Sequence, residues 1–204
     1  MITVYTRSIN DELYNMMRST IPAEVECVKM TGYNGWEDAL RFIKDVIERC
    51  PDYAVIVDED MFFHDWDKVA GIVNHMIENS YTHAGIPDRG VIPHRTLRWE
   101  TLNPFWNILD CYTLRNKGAL NPIDKPSFIT VPEFEIFADF YTHLYKIGKP
   151  LWLRAATRSD GITTHVMDHL GNFIALHSWY AREWPNGHKE RIIGVFNDAK
   201  EMRL

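Results

Sequence analysis

The chain has 204 residues, 46% of them hydrophobic and 13% aromatic, with a formal charge of −6. That length suits one domain with a substantial core, and the apolar content excludes a disordered or fibrous chain. The acidic balance argues against a general nucleic-acid binder, which needs a basic stripe, but leaves room for a local basic pocket.

Residues 2–6 predict a first strand, followed by a turn at Arg7-Ser8-Ile9-Asn10. Asn10 or Asp11 then caps a short helix burying Leu13, Met16 and Met17. The sequence shows no basic leader region and no long apolar stretch, so no membrane span is expected and cytoplasmic residence is the default. Cys27, Cys50 and Cys111 have no metal-ligand spacing and suit a reducing compartment. Residues 25–30 read as a second strand and Thr31-Gly-Tyr-Asn-Gly35 as a loop. Over residues 36–50 the spacing of Trp36, Ala39, Leu40, Ile43, Val46, Ile47 and Cys50 predicts an amphipathic helix, stopped by Pro51.

The next run, Tyr53-Ala-Val-Ile-Val, is a buried-strand pattern that ends abruptly in Asp58-Glu59-Asp60. A strand ending in acids places them at a sheet edge, where ligands of open α/β folds bind. Because strand side chains alternate, Asp58 and Asp60 can face one way and share a hard cation; a solvated acidic turn is the plain alternative. Asp65 is expected to cap a helix reaching residue 79, with Trp66, Val69, Val73, Met76 and Ile77 inward. The first eighty residues thus alternate strand and helix, predicting a mixed, mostly parallel α/β sheet flanked by helices.

Residues 82–130 contain Pro87, Pro93, Pro104, Pro122 and Pro126 and predict loops and short strands. Pro132 opens an expected helix over residues 132–147, with Phe134, Phe137, Tyr141 and Leu144 inward and Gly148 and Pro150 ending it. Short strands follow at residues 151–154 and 173–177, and the last thirty residues are polar and basic. No internal repeat or linker is present, so residues 1–204 read as one domain. Its nucleotide half covers about residues 1–80, and its acceptor and C-terminal half about 81–204.

Element order and acids together resemble the GT-A glycosyltransferases, nucleotide-sugar enzymes with an Asp-x-Asp motif and a Rossmann-type domain. The resemblance rests on Asp58-Glu59-Asp60, Ala84-Gly-Ile-Pro-Asp88-Arg-Gly90, Asn103-Pro-Phe-Trp-Asn107 and Leu176-His177-Ser-Trp-Tyr-Ala-Arg182. It implies a nucleotide-sugar donor, with UDP the commonest nucleotide of the class, and a carbohydrate or glycoconjugate acceptor. Asp60 would bind the metal directly, with Asp58 on the metal, a coordinated water or the ribose. In this family a late residue, often His, completes the coordination, and His177 is the matching position. Carboxylates plus imidazole suit Mn2+, with Mg2+ the alternative. His165, Asp168 and His169 form a rival cluster.

Separating a sugar from a diphosphate leaves growing negative charge, which basic side chains and a cation stabilise. Arg182 is the first candidate, with Arg154 and Arg158 behind it. The nucleotide would lie against Thr6, Arg7 and Ser8, with Tyr33, Gly35 and Trp36 as walls. By resemblance Asp88 faces the donor sugar, and Phe105 and Trp106, flanked by Asn103 and Asn107, offer a sugar platform or a plain core loop. Glu133 and Glu135 occupy the region where inverting relatives place a general base, although first-turn acids also suit a helix dipole and the usual Glu-Asp pair is absent.

The main rival is a haloacid-dehalogenase-type Mg-dependent phosphatase with Asp58 as nucleophile. Against it, that motif normally ends the first strand and is followed by Thr or Val, whereas Met61 and two phenylalanines follow Asp60. A nucleotidyltransferase lacks support because no early Gly-rich basic loop is present. A non-catalytic module with the same fold stays open.

Overall fold

The computed structural model describes residues 1–34, 38–87, 101–121 and 138–201. Its elements begin β1 (Ile2–Arg7), α1 (Asp11–Arg18), β2 (Glu26–Met30), α2 (Asp38–Arg49), β3 (Tyr53–Asp58), β4 (Met61–Phe63) and α3 (Trp66–Asn79). They continue with β5 (His83–Pro87), β6 (Leu102–Asp110), α4 (Cys111–Asn116), α5 (Ala138–Ile147), β7 (Pro150–Trp152) and β8 (Arg154–Thr157). The chain then forms β9 (Thr164–Met167), β10 (Phe173–His177), a 3-10 helix at Ala181–Asn186 and α6 (Lys189–Glu201).

Six strands form the main sheet in the order β2-β1-β3-β6-β5-β7. Every neighbouring pair is parallel except those involving β6, so the expected mixed, mostly parallel sheet flanked by helices is present. A second, antiparallel sheet has the order β4-β10-β9-β8.

Alternation along the strands divides the core in two. Val4, Val55, Val57 and Ile108 pack with Leu13 and Met17 of α1, Val69 and Val73 of α3, Leu176 of β10 and Ile192 of α6. Tyr5, Ala54, Ile56 and Leu109 face the other way, onto Phe42 and Val46 of α2, Leu114 of α4 and Leu144 of α5. Each fully buried aliphatic or aromatic side chain contributes about 1.5–3 kcal/mol of transfer free energy. Asn10 caps α1, its Oδ1 accepting from the amides of Glu12 at 3.0 Å and Leu13 at 3.2 Å. Asp65 occupies the cap position of α3 without a capping bond, and its carboxylate pairs with Lys68 at 2.6 Å instead.

Several regions depart from the sequence expectation, and Ile77, expected inward on α3, is exposed. The segment expected to hold loops and short strands contains β6, a nine-residue strand lying between β3 and β5. Both of its faces are buried, which removes the alternation that marks a half-exposed strand. The unassigned C-terminus forms α6, with Ile192, Val195 and Ala199 inward. The expected strand at residues 151–154 is divided between β7 and β8, which belong to different sheets. Of the helix expected over residues 132–147, the part from Ala138 is α5; residues 122–137 lie outside the described residues, as do 35–37.

His83 supplies a test of the buried sheet. It is wholly buried in β5, opposite Leu109 of β6 and Pro150 of β7. Its Nδ1 lies 3.0 Å from the Thr82 hydroxyl, and its Nε2 has no partner among the described residues. Burial lowers its pKa to about 4, whereas the unfolded chain takes up the proton near 6.5. Between these values the unfolded state binds more protons. The contribution is therefore present above about pH 6.5 and lost as pH falls toward 4, on the order of 3 kcal/mol in all. Denaturant titrations of wild type and His83→Leu at pH 7 and pH 4.5 should show a smaller acid-induced loss in the variant. Equal losses would place the acid sensitivity elsewhere.

Candidate metal centre and cleft

The parallel register of β1 on β3 sets Arg7 beside Asp58 at the carboxyl ends of the two strands. Past Asp58 the chain turns through Glu59 and Asp60 into β4, which pairs with β10 so that Met61 stands opposite His177. The acidic run therefore lies where the two sheets meet, at the strand ends where open α/β sheets take ligands.

Ligand atoms of Asp58, Asp60 and His177 all lie within 4.8 Å of one another. His177 Nε2 is 3.2 Å from Asp60 Oδ1, the Ser178 hydroxyl donates to Asp60 Oδ2 at 3.1 Å, and the Ser178 amide donates to the Asp60 carbonyl at 3.0 Å. Phe105 stacks on the His177 ring at 4.2 Å and 14°, and Trp179 lies 4.2 Å from it at 56°. His177 Nδ1 is buried with no partner among the described residues. Facing a carboxylate that only accepts, Nε2 donates its proton to Asp60, and a metal bound there would take that proton's place.

The two aspartates titrate in opposite directions. Burial lifts Asp58 above the ordinary carboxylate range despite the Arg7 charge, and Asp60 adds to the lift while His177 and Arg182 oppose it. For Asp60, burial also opposes ionisation most strongly, but the His177 charge and hydrogen bond and the Ser178 hydroxyl outweigh it, so its pKa is lowered. A raised carboxyl beside an ionised one is short of positive charge, which a cation held there would supply. Two carboxylates and one imidazole are donors suited to a first-row divalent ion. The three residues can hold a metal.

Glu59 does something else. Its Oε2 accepts from the Ser8 hydroxyl at 2.5 Å and from the amides of Ile9 and Asn10 at 3.2 and 3.1 Å. Burial raises its pKa, with the Ser8 and Asn10 bonds pulling against the rise. It fastens the loop after β1 to the acidic turn.

A cleft of about 410 Å³ opens over these groups, a size suited to a small ligand. Arg7, Tyr33, Asp58, Asp60, Asn103, His177 and Arg182 all line it, together with Ile9, Asn34, Trp179, Tyr180 and Glu183. Thr6 and Ser8 do not; both are buried, Ser8 donating its hydroxyl to Glu59 and its amide to the Met30 carbonyl. Phe105 and Trp106 are core residues, 1% and 0% exposed, so Trp106 presents no surface to a sugar. Arg158 pairs with Asp198 at 2.5 Å, and neither it nor Arg154 lines the cleft. The rival cluster is dispersed: Asp168 accepts from Leu170 and Asn172 within its own turn, His169 stacks on His75, and His165 packs on Phe173. Asp88, Glu133 and Glu135 lie outside the described residues.

Sequence reasoning passed over Ser178, Glu59 and Tyr180. Ser178 sits within the His-Ser-Trp-Tyr segment, and its position after a strand-end histidine was the available signal. Nothing local marked Glu59 as different from its two neighbours except the alternation of the strand it extends.

No protein-family description matches this chain, and no curated protein matches it. Among solved structures it is similar to A197 from STIV, with a TM-score of 0.42 and 12% identity over 85% of this chain and 92% of that one. It is also similar to a glycosyltransferase involved in the glycosylation of the major capsid of PBCV-1, with a TM-score of 0.47 and 11% identity over 74% of this chain and 80% of that one. Likenesses at this level carry no inference about what this chain does.

Proposed function

We propose that this chain is a metal-dependent glycosyltransferase, moving a sugar from a nucleoside diphosphate sugar to a carbohydrate or glycoconjugate acceptor. The observation that supports it most is the convergence of Asp58, Asp60 and His177 at the sheet edge with Arg7 and Arg182 in the same cleft. We take UDP as the nucleotide and Mn2+, or Mg2+, as the cation. Residues 1–204 are read as one domain whose halves both contribute to the site. Among the described residues no helix is long and apolar enough to cross a membrane.

A cation held by Asp58, Asp60 and His177 would supply charge neutralisation for a departing diphosphate. Arg7 and Arg182 add fixed positive charge beside it, and Arg can fork to phosphate oxygens. Ile9, Tyr33 and Asn34, at the ends of β1 and β2, offer the nucleoside apolar and amide contacts. Because Ser8 is engaged with Glu59 and Met30, Arg7 carries the nucleotide contacts of that segment. Asp88 as a donor-sugar contact and Glu133 or Glu135 as the acceptor's base are retained as proposals. In an inverting transfer such a base removes the proton of the attacking hydroxyl while the sugar–phosphate bond breaks.

Replacing Asp60 with Asn exchanges a charged ligand for a neutral amide of the same size. Isothermal titration with UDP should show manganese-dependent affinity falling by more than the roughly 10–100-fold associated with outer partners of a metal ligand. Unchanged affinity in a folded variant would remove the metal centre from the mechanism.

Reaction class is tested by products. Incubation with a panel of UDP-sugars, Mn2+ and free glycosides as acceptors should release UDP as the sugar passes to an acceptor hydroxyl, while para-nitrophenyl phosphate with Mg2+ should release no phosphate. Phosphate release that disappears in Asp58→Asn would overturn the transferase reading in favour of the phosphatase with Asp58 as nucleophile.

A further inference from the structure

The chain leaves the metal centre through two consecutive non-glycine residues in the left-handed region, Trp179 at φ 62° and Tyr180 at φ 63°. Such backbone is sterically disfavoured and persists only where its surroundings impose it. The surroundings here centre on Arg191 of α6. Its two terminal nitrogens donate to the carbonyls of Ser178 at 2.7 Å and Trp179 at 2.8 Å, and its Nε donates to His188 Nδ1 at 3.4 Å. His188 in turn stacks on the Tyr180 ring, 5.0 Å between centroids and 26° between planes. The Trp179 indole donates to Thr164 at 2.8 Å.

The result of this bracing is a division of two adjacent aromatics. Trp179 is turned inward onto His177, whereas Tyr180 stands 52% exposed where it lines the cleft. Tyr33, which also lines the cleft, is 6% exposed, with its hydroxyl on Asp45. Among the described aromatics of the cleft, Tyr180 is the most exposed ring; Trp179 is half-buried and Tyr33 buried. A half-exposed ring held at the cleft rim by a braced, positive-φ backbone is suited to receive a flat apolar surface. The C–H face of a pyranose is such a surface.

We propose that Tyr180 is a sugar-stacking platform that binds a pyranose ring of the acceptor. This rests on the glycosyltransferase reading and extends it to the acceptor side. The donor's phosphates and sugar belong beside Asp58, Asp60 and His177, inward of Tyr180, and its nucleoside belongs to the ends of β1 and β2. The rim ring is left for the second substrate. Arg191 and His188 act as positioning residues that hold the platform and do not touch the sugar.

The test measures two ligands on one protein. Wild type, Tyr180→Phe and Tyr180→Ala, each with Mn2+, are titrated with UDP by calorimetry. With UDP bound, they are then titrated with methyl α- and β-glycosides of glucose, galactose and mannose by saturation-transfer NMR. Tyr180→Ala should weaken the best-bound glycoside about tenfold, Tyr180→Phe should retain it, and the loss should be confined to the glycoside. Equal glycoside binding in wild type and Tyr180→Ala overturns the platform, as does absence of glycoside binding by wild type that binds UDP. A loss of UDP affinity in Tyr180→Ala overturns it too, by assigning the ring to the nucleoside. Wild type that binds no UDP with Mn2+ defeats the transferase reading itself, and the platform with it.

Discussion

The Asp60 carboxylate is the contact on which the rest of the arrangement depends. It leaves the main sheet on one side and meets His177 and Ser178 of the second sheet on the other. An ionised carboxylate 2% exposed is tolerable only with partners, so the end of β10 must lie against the acidic turn. That requirement fixes β10 beside β4, closes the second sheet over α3 and α6, and brings a nitrogen ligand to two oxygens. The atoms that pair the two sheets are also among those that could hold a metal. A cation held there would replace the Asp60–His177 hydrogen bond.

The three acids of the turn divide their work by direction. Asp58 and Asp60 face His177, close enough to hold a metal, while Glu59 points to the loop after β1 and accepts three hydrogen bonds there. Two loops that are distant in sequence are thereby held as one surface. Arg7, which faces the cleft from the end of β1, keeps its place relative to Asp58 through both the strand register and the adjoining tie of Ile9 and Asn10 to Glu59.

The parts of the fold that were legible in the sequence are those with strong local patterning. Ala39, Ile43, Val46 and Ile47 mark α2 by helical spacing, and five apolar residues before Asp58 mark β3. β6 was hidden because a strand between two others is buried on both faces and carries Pro104, which reads as a breaker. The second sheet was only partly legible, since β4 has three residues and β8 and β9 have four each, too few for a period to show. Charged residues on the outer face of α6 concealed its short apolar stripe. At the site, the acids were visible from their strand-end position. His177 needed the family resemblance, and the burial of Phe105 and Trp106 could not be seen without knowing that β6 lies inside the sheet.

α6 contributes no residue to the cleft lining, yet Arg191 braces the segment that forms its rim. This has a consequence for synthesis, which proceeds from the N-terminus at about 5–20 residues per second. Asp60 precedes His177 by 117 positions, an interval on the order of ten seconds. During it the nascent first half lacks the partners that make burial of Asp60 tolerable, so the acidic turn stays hydrated and the junction open. The rim is braced later still, when Arg191 arrives. Until residue 191 is made, the acids stand without a finished pocket, and the cleft rim is braced only as α6 docks.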